Sequence, residues 1–145
     1  MRVFLSVSYS AEVDTAGIVR AAYRRDLEEI ISFLEQQGHQ VFCGPREDGW
    51  KLNEASPGEA LLLDLKHIDA CDVLVALVGG PVSGGVQWEL GIARNKHIVL
   101  VSPANEPLSY INQGLVDSGM AQFVEYASQE DLLAQLQTAL ASLVA

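Results

Sequence analysis

Residues 72–96, DVLVALVGGPVSGGVQWELGIARNK, decide the fold expected for this chain. Asp72–Val78 is short and almost wholly apolar, which predicts a strand buried on both faces. Gly79–Gly85 is rich in Gly, Pro and Ser and predicts a tight loop, after which Val86–Lys96 has the apolar spacing of a helix. Because this strand is the most apolar in the sequence, we expect it at the centre of a sheet.

Strands and helices alternate along the rest of the chain. The other strands are predicted at Arg2–Ser8, Gln40–Cys43, His97–Ser102 and Gln122–Tyr126. The other helices are predicted at Thr15–Gln37, Ser56–Ala70, Ser109–Asp117 and from Ser128 towards the end of the sequence. This alternation predicts an α/β fold whose parallel sheet is covered by helices on both faces, in one domain over residues 1–145.

The composition excludes several classes of function. Of the 145 residues, 49% are hydrophobic, which is typical of a folded domain rather than a disordered chain. The 19 acidic residues outnumber the 9 basic ones, so binding of a nucleic-acid polymer is not expected. Two cysteines and three histidines lack the spacing of a disulfide framework or a metal site, and no apolar run approaches the roughly 18 residues of a membrane span. We therefore expect a cytoplasmic protein with no signal peptide, no bound metal and no membrane partner.

Three segments are expected around one crevice, because ligands of parallel sheets bind beyond the carboxyl ends of the strands. They are Ser6–Ser10, Gly44–Trp50 and Gly79–Gly85. The glycines of the last segment would let backbone N–H groups approach an anion at a helix N-terminus, and Ser83 adds a hydroxyl donor. The segment lacks both G-x-G-x-x-G and the Walker lysine, which disfavours NAD and ATP. Anion binding and a plain tight turn both stay open.

Two acids fall on helix faces that are otherwise apolar. Glu89 shares its face with Val86, Leu90 and Ala93, and Asp64 shares its face with Leu61, Leu65 and Ile68. A carboxylate on such a face must be paired, hydrogen-bonded or neutralised, which marks a candidate functional group. Two carboxylates on either side of a sugar carbon can act as nucleophile and general acid on a glycosidic bond. The alternative is that each acid lies at the edge of the core and finds an arginine or a backbone donor.

The same segments supply further candidates for a substrate site. These are Ser6, Ser8, Tyr9, Arg46, Trp50 and Trp88. A tryptophan can stack on a planar base, and Arg46 offers a fork of donors to a base or phosphate. Core packing for Trp88, loop packing for Ser8 and Tyr9, and solvent exposure for Arg46 are the alternatives.

Three stretches carry a family resemblance: VFLSVSY at 3–9, LLLDLKHIDACDVLVALV at 61–78 and SGGVQWELGIARNKHIVLV at 83–101. Together they resemble the nucleoside 2-deoxyribosyltransferase-like superfamily, which includes the transferases and the nucleoside 5′-monophosphate N-glycosidases. The resemblance covers nearly the whole chain, and its most specific part is Gly85–Ala93. It implies a flavodoxin-like, Rossmann-like three-layer sandwich with a five-stranded parallel sheet.

The resemblance also implies roles for individual residues. Glu89 falls on the nucleophile that forms a glycosyl-enzyme intermediate, Asp64 on the acid that assists departure of the base, and Tyr9 in the loop that lines the sugar site. No cofactor is implied. Family active sites are completed by a loop of a neighbouring subunit, here Asn105–Gly114, so the resemblance implies a homodimer or a higher oligomer.

Departures from the family pattern bear on the substrate. Ser83 stands where transferases of free nucleosides usually carry an aspartate, and its neighbourhood resembles the phosphate-binding pieces of the monophosphate glycosidases. Phosphate would then be held by Ser83, Gly85 and Ser109 of the neighbouring subunit. Arg46–Trp50 and Ser56–Ala60 resemble bacterial hydrolases of cytidine-type monophosphates.

The function expected is therefore hydrolysis of the N-glycosidic bond of pyrimidine nucleoside 5′-monophosphates. The first loop, Ser6–Ser10, lacks the Gly-Gly and Arg found in some phosphate-binding members. Base transfer between deoxynucleosides thus stays open, as does a nucleotide sensor without turnover.

Overall fold

One parallel sheet organises the protein, whose computed structural model describes residues 1–52 and 55–144. Its strands are β1 (Arg2–Ser6), β2 (Gln40–Phe42), β3 (Val73–Leu77), β4 (His97–Pro103) and β5 (Gln122–Tyr126). The helices are α1 (Ala21–Gln36), α2 (Gly44–Glu47), α3 (Pro57–Ala70), α4 (Gly84–Ile92), α5 (Tyr110–Asp117) and α6 (Gln129–Leu143), with a 3₁₀ turn at Ser10–Glu12.

The strand order β2-β1-β3-β4-β5 confirms the central position predicted for the apolar strand β3. The chain runs outward from β1 to β2 on one side and from β3 to β5 on the other, so the order reverses between β1 and β3. Ser6 pairs with Ala76 at the carboxyl end of these two strands. Open α/β sheets bind their ligands at this reversal.

Helices cover both faces of the sheet and form two separate cores. On one face, α1 and α6 bury leucines such as Leu27 and Leu136 against the sheet. On the other face, α3, α4 and α5 pack on it, with Ile68 and Leu90 fully or nearly fully buried. The result is the predicted flavodoxin-like sandwich of three layers.

The first helix begins later than its apolar spacing predicts. The sequence predicts a start at Thr15, whereas α1 begins at Ala21. The carboxylate of Asp14 accepts hydrogen bonds from the N–H groups of Ala16 (2.8 Å) and Ile18 (3.0 Å) and so holds a turn ahead of the helix. Aspartate side chains that bond nearby backbone N–H groups compete with helix in this way.

Two details on the α3 side also differ from the prediction. The segment predicted as a loop after β2 begins with the short helix α2, which has Pro45 in its first turn. The predicted apolar face of α3 is only partly buried: Ile68 packs in the core, but Leu61 is 45% exposed. Three consecutive leucines, Leu61–Leu63, leave α3 apolar on more than one side, so its sequence does not specify one buried face.

No helix in the described part of the chain is both long enough and apolar enough to cross a bilayer. Within the same residues no group of His, Cys, Asp and Glu side chains is arranged to hold a metal ion. Cys43 and Cys71 are buried free thiols, and burial raises the pKa of Cys43 to about 12.

Candidate active site

A cavity of about 330 Å³ lies at the carboxyl ends of β1 and β3, and we call it the main cavity. All three segments predicted around the crevice contribute to it. Its polar lining residues are Tyr9, Ser10, Glu47, Asp48, Asp64, Ser83 and Glu89. Its apolar walls include Phe4, Phe42, Pro45, Pro57 and Leu63.

Glu89 is directed into the main cavity by the way α4 packs. Ser83 caps the helix, since its hydroxyl accepts the N–H of Val86 at 3.4 Å. Val86 and Leu90 are buried on the inner side of α4, as predicted, and Glu89 lies between them. The hydroxyl of Ser6, itself 1% exposed at the end of β1, donates a hydrogen bond to Oε2 of Glu89.

The surroundings of Glu89 make it harder to ionise than an ordinary glutamate. Burial raises its pKa from 4.5 to about 7, while the hydrogen bond from Ser6 acts in the opposite direction. The negative charge of Asp64 adds to the upward shift. A carboxylate that is desolvated yet held by one donor is a stronger nucleophile than a fully hydrated one, which suits covalent catalysis.

Asp64 reaches the same cavity from α3. That helix begins with Pro57 and is capped by Ser56, whose hydroxyl accepts the N–H of Glu59 at 3.3 Å. Asp64 is half-buried, and burial raises its pKa from 3.8 to about 6, with a further contribution from the charge of Asp48. The structure thus brings the two predicted acids together in one cavity, from different helices.

Both carboxyl groups hold a proton more readily than ordinary acids. Burial in the main cavity raises the pKa of each, and the charge of Asp64 adds to the shift of Glu89. One group of the pair can then act as an acid while the other acts as a base or nucleophile. This arrangement is suited to bond cleavage at a carbon that carries a leaving group needing a proton.

A second cavity of about 270 Å³ adjoins the main cavity, and Ser83 lines both. The N-termini of α4 and α5 meet there, capped by Ser83 and by Ser109, whose hydroxyl accepts the N–H of Asn112 at 3.2 Å. Its described lining residues carry no charged side chain. Helix N-termini with neutral hydroxyl and N–H donors form an environment that favours an anion.

The wall of the second cavity is held by contacts that restrict its shape. Gln87 donates to the buried Asn112 at 3.1 Å, which ties α4 to α5. The N–H of Gly80 donates to Oε2 of Glu106 at 2.7 Å. A Cβ on Gly79 would lie 2.3 Å from Cδ of Pro103, so only glycine fits at that position.

The remaining predicted site residues divide between the cavities and the rest of the molecule. Tyr9 lines the main cavity and Ser8 the second cavity, where the backbone oxygen of Ser8 accepts the hydroxyl of Tyr23 at 2.7 Å. Gly85 lines the main cavity beside Ser83. Ser109 lines the second cavity of its own chain, whereas the resemblance implies a Ser109 from a neighbouring subunit.

Four predicted binding residues line neither cavity, and one of them is Ser6, whose hydroxyl is bonded to Glu89. Arg46 pairs with Glu35 at 2.7 Å and donates to the backbone oxygen of Val41, so its guanidinium is used to hold α2 on the sheet edge. Trp50 is 6% exposed within the core on the α1 side. Trp88 points outward from α4 and is 36% exposed. Contacts within the chain thus account for the positions of Arg46 and Trp50, and the binding roles of these residues stay predictions.

Sequence reasoning assigned no role to two features of the main cavity. Asp48 follows α2 directly and lies near enough to Asp64 for its charge to act there. Phe42 forms a wall between Phe4 and His67, with ring centroids 5.1 Å and 3.9 Å away. Phe42 ends β2, and Asp48 lies in the segment that follows this strand; both positions were a signal, because the carboxyl end of β2 borders the predicted crevice.

Comparisons with solved structures show what the chain resembles. No protein-family model matches the chain, and no curated protein matches it by sequence. The structure of a CMP N-glycosidase from Clostridium botulinum, BcmB, matches with a TM-score of 0.73 and 26% identity, over 96% of this chain and 99% of that one. The solution structure of BlsM matches with a TM-score of 0.81 and 27% identity, over 98% and 90%. The chain thus resembles the nucleoside 2-deoxyribosyltransferase-like superfamily over nearly its whole length.

A further structure shares the superfamily fold. It is a 2-deoxyribosyltransferase from Bacillus psychrosaccharolyticus, with a TM-score of 0.66 and 19% identity, over 92% of this chain and 90% of that one. The enzymes named among these structures are thus a glycosidase and a pentosyltransferase. The resemblance drawn from Gly85–Ala93 and the two other stretches is confirmed at the level of the superfamily.

Proposed function

We propose that the protein is a cytoplasmic N-glycosidase that hydrolyses pyrimidine nucleoside 5′-monophosphates, of the cytidine type, to free base and pentose 5-phosphate. The observation that carries this proposal is the pair of carboxyl groups, Glu89 and Asp64, in a cavity that adjoins a second one lined by neutral donors. The first arrangement suits cleavage of a glycosidic bond, and the second suits a phosphate group. The likeness to a CMP N-glycosidase over almost the full length of both chains supports it further.

In the first step, the carboxylate of Glu89 attacks C1′ of the sugar and forms an ester to it. The bond between C1′ and the base nitrogen breaks, its electron pair stays on the base, and the carboxyl of Asp64 delivers the proton that neutralises the base. In the second step, water attacks C1′ and regenerates the Glu89 carboxylate, while Asp64 accepts the proton from water. Tyr9 lines the sugar position, and no cofactor takes part.

Substrate binding would set the two carboxyl groups in the required protonation states. Asp64 is half-buried, and a base lying over it would remove its remaining contact with water. Desolvation favours the protonated form of a carboxyl, so bound substrate turns Asp64 into an acid. Glu89 keeps the hydrogen bond from Ser6, which favours its ionised form.

The phosphate would lie in the second cavity. Ser83, Gly85 and Ser109 surround the converging N-termini of α4 and α5, where N–H groups and helix dipoles stabilise negative charge. The four acids of the main cavity exclude the phosphate from that side by repulsion. The charge pattern therefore favours one orientation, with the base towards α3 and the phosphate towards α5.

A homo-oligomer belongs to the same proposal. Apolar side chains of the α4–α5 side are strongly exposed, with Tyr110 at 93% and Ile111 at 63%. The only charged residues in the sequences of these two helices are Glu89, which faces inward, and Asp117 at the end of α5. In a chain of net charge −10, two copies would meet most easily through such an uncharged face.

Sedimentation equilibrium tests the oligomer. Ile111→Asp is expected to shift the protein towards monomer, whereas Ile18→Asp, at a 42% exposed position on another part of the surface, should leave its mass unchanged. A wild-type protein that sediments as a monomer at micromolar concentration would argue against the interface.

The decisive experiment for the reaction is a substrate panel. Purified protein is incubated with CMP, dCMP, UMP, dUMP and TMP, and released base is separated by chromatography. Free base from a monophosphate supports the proposal, and activity that survives Glu89→Ala would overturn its mechanism. Base exchange between free deoxynucleosides without hydrolysis of monophosphates selects the transferase. Thermal stabilisation by a nucleotide with no base released over hours selects a sensor.

A further inference from the structure

Aromatic and apolar side chains line the main cavity together with Asp64. Phe42 stacks on the rings of Phe4 and His67, with centroids 5.1 Å and 3.9 Å away. Leu63 and Pro45 add further apolar lining. Flat aromatic and apolar walls stack on a planar base but do not distinguish one pyrimidine from another, since every base has a π face.

The charged side chains that line the main cavity are negative. The described lining residues include four acids and no Lys, Arg or His: Glu47, Asp48, Asp64 and Glu89. Glu89 and Asp64 act on the sugar and on the base in the proposed reaction. Of the other two, Glu47 is exposed, whereas Asp48 is partly buried and its charge reaches Asp64. Asp48 is therefore the acid that a base bound over Asp64 would meet at its edge.

We propose that the carboxylate of Asp48 determines which base is accepted, by receiving a hydrogen bond from an exocyclic amino group. Among pyrimidines it would select a cytosine-type base over a uracil-type base. This inference rests on the proposed function, because that function places the leaving base beside Asp64.

The chemistry of the two bases supports the selection. Cytosine presents an amino group at C4, and aspartate or glutamate accepts a hydrogen bond from it. Uracil presents an oxygen at the same position, so it would bring an acceptor against an ionised acceptor. A site that accepts a hydrogen bond from a substrate N–H group disfavours an analogue that presents an oxygen there, because two acceptors repel.

The test compares CMP with UMP in three proteins: wild type, Asp48→Asn and Glu29→Gln. Asparagine keeps the shape of aspartate but can also donate to an oxygen, and Glu29 is an exposed acid of α1 that provides a control for loss of charge. We expect wild type to prefer CMP in kcat/KM by about tenfold or more, the discrimination typical of one good base contact. Asp48→Asn should reduce that preference by about tenfold, and Glu29→Gln should leave it unchanged.

Hydrolysis of UMP as fast as CMP by wild type, or an unchanged preference in Asp48→Asn, would overturn the role of Asp48 while leaving the proposed reaction in place. Titration calorimetry of CMP and UMP with the same proteins separates the two proposals. If no base is released, but wild type binds CMP more tightly than UMP and Asp48→Asn does not, base recognition by Asp48 is supported and the proposed hydrolysis is contradicted. If CMP binds no more tightly than UMP, the recognition falls.

Discussion

The two cavities that meet at Ser83 have opposite character. The main cavity is walled by aromatic and apolar residues and carries four acids. The second cavity has no charged side chain in its described lining and collects the N-termini of two helices. The main cavity therefore favours a group that donates protons or hydrogen bonds, and the second cavity favours an anion. A nucleoside monophosphate has both chemistries at its two ends, and this division within one small protein is what points to such a ligand.

The largest effect is expected from removing the central acid of the main cavity. Glu89→Ala should lower release of base from a monophosphate by roughly a thousandfold or more, since it removes the carboxylate that forms the ester to C1′ in the proposed reaction. The rate is measured by chromatography of the released base in samples taken over time. Glu125→Ala, which removes an exposed acid of β5, is the control. Comparable turnover in Glu89→Ala and wild type would show that the main cavity is not where chemistry occurs.

The next largest effect is expected from placing a negative charge in the second cavity. Ser83→Asp places a carboxylate at the N-terminus of α4, where it would repel a phosphate, and should raise KM for the monophosphate about a hundredfold. The same variant should lose little activity on the free nucleoside. Ser118→Asp adds the same charge at the exposed end of α5 and should leave both unchanged. An equal loss of activity on nucleoside and monophosphate would mean that Ser83 does not bind the phosphate.

A smaller effect is expected at the hydrogen bond between Ser6 and Glu89. Because this bond stabilises the ionised carboxylate, Ser6→Ala should raise the pKa of Glu89 further. A smaller fraction of Glu89 is then ionised at pH 6, and kcat/KM at that pH should fall about tenfold. Ser102→Ala removes another buried serine, on β4, and provides the matched control. An unchanged kcat/KM at pH 6 in Ser6→Ala would show that ionisation of Glu89 does not limit the reaction.

The smallest effect concerns stability. The folded state raises the pKa of Asp64 from 3.8 to about 6, so it holds this proton more tightly than the unfolded chain does. The resulting stabilisation is fully present below pH 3.8 and is lost as the pH rises through 6. Asp64→Asn should therefore raise the melting temperature by a few degrees at pH 8 and by less at pH 5. Scanning calorimetry at both pH values measures the melting temperature, with Asp69→Asn, an exposed change on the same helix, as the control. An equal rise in melting temperature at both pH values would contradict the prediction.

The two central acids were predictable because both stand out against their helices. Glu89 lies between Val86 and Leu90, which are buried as expected, and this local pattern was sufficient to place it. Asp64 was also predicted from its helix face, but that face of α3 is only partly buried, since Leu61 is exposed. Spacing on one helix says which side chains share a face, but it does not say how much of that face the neighbouring elements cover.

The contacts of Arg46 and Trp50 could not be derived from the local sequence. Both residues lie in the segment predicted to border the crevice, and their chemistry suits a nucleotide. In the structure Glu35 pairs with Arg46, and the core on the α1 side encloses Trp50. Residue type and position in a loop contain no information about such contacts.

The sequence by itself determined the alternation of strands and helices, the central place of β3, and the two acids on apolar helix faces, because hydrophobic periodicity is a local property. Only the tertiary structure decided that Glu89 and Asp64 share one cavity, that Ser6 holds Glu89, and that the N-termini of α4 and α5 converge on a second cavity. Those relations join residues far apart in the chain, and their distances depend on how the layers pack around the reversal between β1 and β3.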